Sequence, residues 1–289
     1  MIELLEATIR VSIPLIFAAM GGLMSERAGV INIALEGMMI VGALAAAIVT
    51  YSTHSPWLGA IAAMVAGLGI AAFYGIFVIR LRSNQIVAGT AINLFAAGLA
   101  PFLTKLLYGS TASSPGIPLH ERFASAPIGF AFGLVILLFL GMRYTPFGLW
   151  MRFSGEHPQA LDAAGVRVNR VRWAGVMLSG VFAGMGGASL SIFLASQFSR
   201  GMTAGRGFMA IAALIFGKWK PLPAAAACLL FGFADAIQIR LQGVVLWGTE
   251  PVPVQFIQIL PYVATILVLA GVVGQSTAPK ALGTPFQKS

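Results

Sequence analysis

The chain has 289 residues, of which 58% are hydrophobic and only 9% charged, against roughly a quarter charged in soluble proteins. A water-soluble domain lacks the polar surface to cover that much apolar side chain, so the composition excludes a soluble enzyme and implies a protein whose outer solvent is a bilayer. The formal net charge of +9 then reads as Lys and Arg retained in cytoplasmic loops rather than as a nucleic-acid surface.

The amino terminus, Met1-Ile2-Glu3-Leu4-Leu5-Glu6, carries acid where a signal peptide carries base, so the first apolar run is expected to be a permanent span. A crossing helix needs roughly 20 mostly apolar residues. On that ruler spans are expected at 7–24, 30–50, 57–79, 86–108, 127–142, 173–198, 207–217, 222–242 and 255–274. The result is an all-α polytopic bundle of about nine membrane segments, forming one transmembrane domain over 1–289. The seventh, Gly207 to Gly217, is too short to cross and is expected to be a half-helix or a re-entrant segment buried in protein. With the amino terminus outside and alternating spans, twelve of the 18 Lys and Arg fall inside, and Arg10, Lys105, Arg122, Arg200, Arg206 and Arg240 fall outside. This bias favours amino terminus out and carboxyl terminus in. The Ser/Thr/Pro-rich loop 109–126 then faces outside, 143–172 is the longest cytoplasmic loop, and the polar tail 275–289 is expected to be poorly ordered. Cys228, the single cysteine, lies in an apolar run and forms no internal disulfide or metal spacing.

The motifs of catalysis are missing. No G-x-x-x-x-G-K-[ST] loop is present, and the pair Gly217-Lys218 is followed by Trp219 without the upstream glycine, so the chain does not hydrolyse ATP by itself. There is no H-E-x-x-H helix and no G-x-S-x-G elbow, and His54, His120 and His157 all fall in loops. No catalytic residue, metal ligand or cofactor is expected.

Five polar constellations interrupt the apolar pattern. In 25–37, Asn32 and Glu36 are spaced i and i+4, so on a helix they share a face; they read either as wall of a transport pathway or as a cap with a Glu36–Arg27 pair. Asn84, Gln85 and Asn93 either line a polar path or hydrogen-bond between helices. In the loop, Pro158 suits a first helical turn and Gly165 a left-handed stop, giving a short helix with a small-residue surface at Ala160, Ala163 and Ala164. Such a surface either docks another protein or is plain solvated helix. Glycines bracket the short segment carrying Phe208; interrupted segments of this kind often mark a translocation site, and 25–37 with 200–221 is a candidate pair. Asp235 and Gln238, at i and i+3, place an acid within the eighth span, where Arg206 or Arg240 could neutralise it.

The stretches Glu26-Arg27-Ala28-Gly29-Val30-Ile31-Asn32-Ile33-Ala34-Leu35-Glu36-Gly37, Gly155-Glu156-His157-Pro158 to Gly165, and Gly205-Arg206-Gly207-Phe208 through Lys218-Trp219-Lys220-Pro221 resemble inner-membrane permeases of bacterial ABC importers, in the ribose and branched-chain amino-acid permease superfamily. With Phe231-Gly232-Phe233-Ala234-Asp235-Ala236 and Gln238-Ile239-Arg240-Leu241-Gln242, the chain is similar to the nucleoside-uptake branch. The resemblance covers nearly the whole chain. It implies a pore of two permease subunits, here two different homologous chains, and a cytoplasmic ATPase with two fused nucleotide-binding modules. It also implies a lipoprotein or periplasmic protein that delivers the solute. Gly155, Glu156, His157, Pro158, Ala160, Asp162, Ala163, Ala164 and Gly165 then correspond to the coupling helix that docks into the ATPase. His157 stands where the family usually has Asn, a better helix cap. Rival readings are the same architecture carrying simple sugars, branched-chain amino acids or riboflavin, an ion-coupled secondary carrier using Glu36 and Asp235, and a membrane-embedded enzyme.

Overall fold

The structure, a computed structural model, describes residues 2–241 and 277–287. Ten α-helices follow one another there: α1 (Ile2–Arg27), α2 (Leu35–Thr53), α3 (Pro56–Gly75, extended by a π turn over Ile76–Arg80), α4 (Gln85–Tyr108), α5 (Ala126–Tyr144), α6 (Pro146–Glu156), α7 (Pro158–Ala163), α8 (Val168–Ser189, extended by a π turn over Leu190–Leu194), α9 (Arg206–Phe216) and α10 (Pro221–Leu241). Among the described residues seven are long and apolar enough to cross a membrane, and α9 is a shorter apolar helix. Eight of the about nine expected segments fall on described residues and appear there as these seven membrane-length helices and the short α9; the expected span 255–274 lies outside the described residues.

Helix α1 is the central post. It is buried without interruption from Ser12 to Glu26, and Pro14 sits inside it. It runs antiparallel to α8: Pro14 faces Gly186, Gly21 faces Ser179 and Met24 faces Gly175. The approach is close because the facing positions lack side chains. A Cβ on Gly184 would meet the carbonyl oxygen of Ala63 at 2.2 Å, and one on Gly187 would meet that of Met39 at 2.1 Å. Small residues allow such backbone contact, which replaces the hydrophobic drive that lipid cannot provide between spanning helices. Helices α2, α3 and α10 close around this pair. Helices α4 and α5 are peripheral. On α4 only Gln85, Gly89, Ile92, Ala96, Ala100 and Thr104 are buried, one face at helical spacing, while Val87, Leu94, Phe102 and Leu106 are exposed.

Two loops are tied down. The stretch 112–123 pairs with 192–200: Ser114 N–H donates to Phe198 O, Ile117 N–H to Ser196 O, Arg200 N–H to Ala112 O and Phe123 N–H to Ile192 O. The tail, expected to be poorly ordered, is instead docked over 277–287. Ala281 N–H donates to Gly155 O, Gly283 N–H to Gly29 O, and Arg172 Nη1 to Thr284 O at 2.7 Å. Leu282 and Phe286 pack on the core, which is why a polar tail stays in place.

Candidate functional site

The apolar run expected to be a span at 30–50 is not helical at its start. Residues 28–34 form a turn and an irregular segment, and α2 begins only at Leu35. The interruption lies inside the bundle, since Ala28, Val30, Asn32 and Ala34 are all buried. Its backbone groups thus need partners from neighbouring helices. Ile31 N–H donates to Gln85 Oε1 at 2.7 Å, and Tyr74 O–H donates to Ile31 O. Asn93 serves two groups at once: its Nδ2 donates to Ile33 O at 2.9 Å and its Oδ1 accepts from Gly37 N–H at 2.8 Å. Gln85 and Asn93 therefore hold an unwound segment in shape, an interhelical role. Asn84 caps α4, accepting from Ile86 and Val87 N–H.

Asn32 and Glu36 do not share a helix face, because Asn32 precedes the helix. Asn32 Nδ2 donates to Ser179 on α8 at 2.6 Å. Its Oδ1 and Gln85 Nε2 are buried with no hydrogen-bond partner among the described residues. Glu36 turns to a different partner. Its Oε1 accepts from Gly205 N–H at 2.9 Å and its Oε2 from Gly207 N–H at 2.7 Å. Gly205 and Gly207 flank the start of α9, so the carboxylate sits on that helix's amino end, where free N–H groups and the helix dipole favour an anion. Gly207 has no side chain because none fits: a Cβ there would lie 2.5 Å from Glu36 N. The expected Glu36–Arg27 pair does not form; Arg27 meets Glu156 instead, at 3.7 Å.

The segments 25–37 and 200–221 also meet at the other end of α9. Trp219 Nε1 donates to Glu26 Oε2 at 2.5 Å, and Arg27 Nε donates to Trp219 O at 2.7 Å. Lys218 and Trp219 both have φ of +51°, left-handed and rare without glycine. Such strain persists where surroundings over-determine it, and here the indole, the Trp219 carbonyl and the Trp219–Leu214 backbone bond fix the turn. Sequence reading did not single out Glu26 as Trp219's partner, although Glu26 was visible as an acid at the end of an apolar run.

Phe208, in the first turn of α9, leaves 49% of its surface uncovered. Asp235 on α10 lies 3.8 Å from Arg206 Nη2, so the intraspan acid is paired with the first residue of α9. Arg240 turns to Glu3 at 2.6 Å, and Gln238 is half-buried. The structure thus gathers Asn32, Glu36, Gln85, Asn93 and Phe208 around two interrupted segments, links Asp235 to them through Arg206, and leaves Asn84 and Gln238 at the side.

Helix α7 projects from the end of the bundle where α1 stops. Leu161 is buried and anchors it, while His157, Gln159, Ala160, Ala163, Ala164 and Gly165 are exposed. His157 precedes it without a side-chain cap bond. Gly165, at φ +83°, ends it, with Val166 N–H donating back to Leu161 O. Its base is fixed: Ser154 Oγ donates to Ala28 O at 2.8 Å, and a Cβ on Gly155 would lie 2.5 Å from Arg27 O. The exposed helix is thereby braced directly against the interrupted segment.

Residues 4–269 match the family model described as branched-chain amino acid transport system / permease component. The chain is 37% identical, over 309 aligned positions, to the guanosine ABC transporter permease protein NupQ of Bacillus subtilis, covering 99% of this chain and 96% of that one. It is 36% identical to the nucleoside ABC transporter permease protein NupC of Lactococcus lactis, covering 96% and 94%. It is 32% identical to the putative glucose ABC transporter permease protein TsgC13 of Haloferax volcanii, covering 92% and 90%. No solved structure matches. A bundle of membrane-length helices, broken where its polar side chains converge and matched along nearly its whole length by permeases, belongs to the branched-chain amino-acid permease family: the chain is a multi-pass, non-catalytic permease component of an ABC-type importer.

Proposed function

We propose that this permease subunit carries nucleosides inward. The observation that supports it is the near-complete alignment with two permeases named for guanosine and nucleoside transport, at 37% and 36% identity. In this reading the chain pairs with a second, different homologous permease. The uncovered face of α9, bearing Phe208, looks onto the solute path between them, because a half-helix inside a bundle is where transporters build their sites. A separate cytoplasmic ATPase with two fused nucleotide-binding modules grips α7 from Glu156 to Gly165, and a binding lipoprotein or periplasmic protein supplies the solute outside. The amino terminus lies outside and the carboxyl terminus inside, which puts α7 and the docked tail on the ATPase side.

In mechanism, the ATPase moves α7; Gly155 and Ser154 pass the motion to residues 28–34; and Glu36 with Trp219 carries it to both ends of α9. Coupling requires that the ATP-bound state favour one arrangement of these contacts over the other. The test is uptake of labelled guanosine by cells or proteoliposomes carrying the whole importer, with adenosine, glucose and leucine as competitors. Competition by nucleosides alone supports the reading. Competition by glucose favours the sugar alternative, which the 32% identity to a putative glucose permease keeps in view.

A further inference from the structure

A cleft of about 500 Å³ opens where α1 ends, α5 ends and α10 begins. Its walls are of two kinds. Arg27, Arg143, Arg152 and Lys220 line it with charge, and Phe139, Met142 and Leu222 line it with hydrocarbon. Among the described residues no Asp or Glu lines it. Of its four cations only Arg27 makes an ion pair among the described residues, with Glu156. Arg152 lies close enough to Arg27 to repel it, and its Nε is buried with no hydrogen-bond partner among the described residues. Arg143 lies 5.9 Å from the Phe139 ring and 5.4 Å from the Tyr144 ring, so it rests at the end of an apolar helix. Helix α5 carries exposed Phe130, Ile136, Leu137 and Leu140, and α10 carries exposed Leu222 and Leu230, so the apolar side of the cleft runs on into surface that faces hydrocarbon.

Three of these cations have no acidic partner among the described residues and repel their neighbours unless an anion joins them, and the group sits at the height where spanning helices end. The chemistry that satisfies both walls is a phosphate attached to acyl chains. We propose that this cleft binds the headgroup of an anionic phospholipid from the leaflet on the α7 side, its phosphate among Arg143, Arg152 and Lys220 and its chains along Phe139, Met142 and Leu222. Arg27 and Trp219, hydrogen-bonded to each other, both line the site, so the lipid braces the turn that joins α9 to α10. This inference needs only that the chain spans a membrane and is independent of the solute.

The test uses the full-length protein, purified in detergent, given equimolar phosphatidylglycerol and phosphatidylcholine, and examined by native mass spectrometry. The wild type is expected to retain phosphatidylglycerol selectively. Arg143→Gln with Lys220→Gln should lower that selectivity about fivefold for each cation removed. Arg143→Lys with Lys220→Arg should keep it, and Arg80→Gln with Arg82→Gln, which removes exposed base elsewhere, should also keep it. Glycerol phosphate, lacking acyl chains, should not displace the lipid. Equal retention of both lipids by the wild type, an unchanged ratio in the Arg143/Lys220 glutamine variant, an equal loss in the Arg80/Arg82 control, or displacement by glycerol phosphate would each overturn the proposal.

Discussion

At Glu36 two backbone donors converge on one carboxylate, and an amide in its place keeps only one strong acceptor. Glu36→Gln is expected to weaken the α2–α9 junction by about 2 kcal/mol while the chain still inserts. Uptake per inserted molecule should fall more than the amount inserted; if only expression drops, Glu36 serves the fold alone. Asn93 poses a different case. Asn93→Leu strands Ile33 O and Gly37 N–H inside the bundle, at about 1–3 kcal/mol for each unpaired group. Asn84→Ala removes a cap on an exposed helix end, worth about 1 kcal/mol. Thermal unfolding in detergent should rank the Asn93 variant well below the Asn84 one, and the reverse order would remove Asn93 from its structural role. Polar residues of this kind are conspicuous in an apolar sequence, so Asn32, Glu36, Gln85 and Asn93 were legible as candidates. Their partners were not: Asn32 reaches Ser179 across 147 positions, and Glu26 reaches Trp219 across 193.

Two elements carry the functional argument, and they differ in how much the sequence foretells. Helix α7 is written locally, with proline at its start, glycine at its stop and alanines on the exposed face. Ala160→Arg should leave the bundle folded, since Ala160 is exposed, yet abolish ATP-driven uptake by preventing a partner from closing on the helix. Normal assembly and transport in that variant would dismiss α7 as the docking element. The break at 28–34 is written non-locally. Val30, Ile31 and Ile33 continue an apolar run and predict helix by pattern. The chain leaves the helix there because Tyr74, Gln85 and Asn93 offer its backbone groups alternative partners. The same reasoning explains the tail, where polar composition suggested disorder but Leu282, Phe286 and backbone bonds to Gly29 and Gly155 hold the segment.

For the whole molecule the orientation is open to a direct measurement. Cys228 is fully buried, so the native chain is silent to membrane-impermeant thiol reagents. With the amino terminus outside, Thr111→Cys should react in intact cells and Gln159→Cys only after permeabilisation. The opposite pattern would invert the assignment and move α7 away from any cytoplasmic ATPase. The architecture also disposes of the ion-coupled rival's main support, since Glu36 is engaged by backbone donors and Asp235 by Arg206.

Composition and hydropathy alone determined that this is a helical membrane protein, because the bilayer imposes a length and polarity on each segment that no packing detail can override. Turn chemistry alone determined α7. Where helices break, which helix an acid caps and how the tail docks were decided only in three dimensions, because a buried backbone group accepts whichever partner packing delivers, and packing joins residues that the sequence keeps far apart.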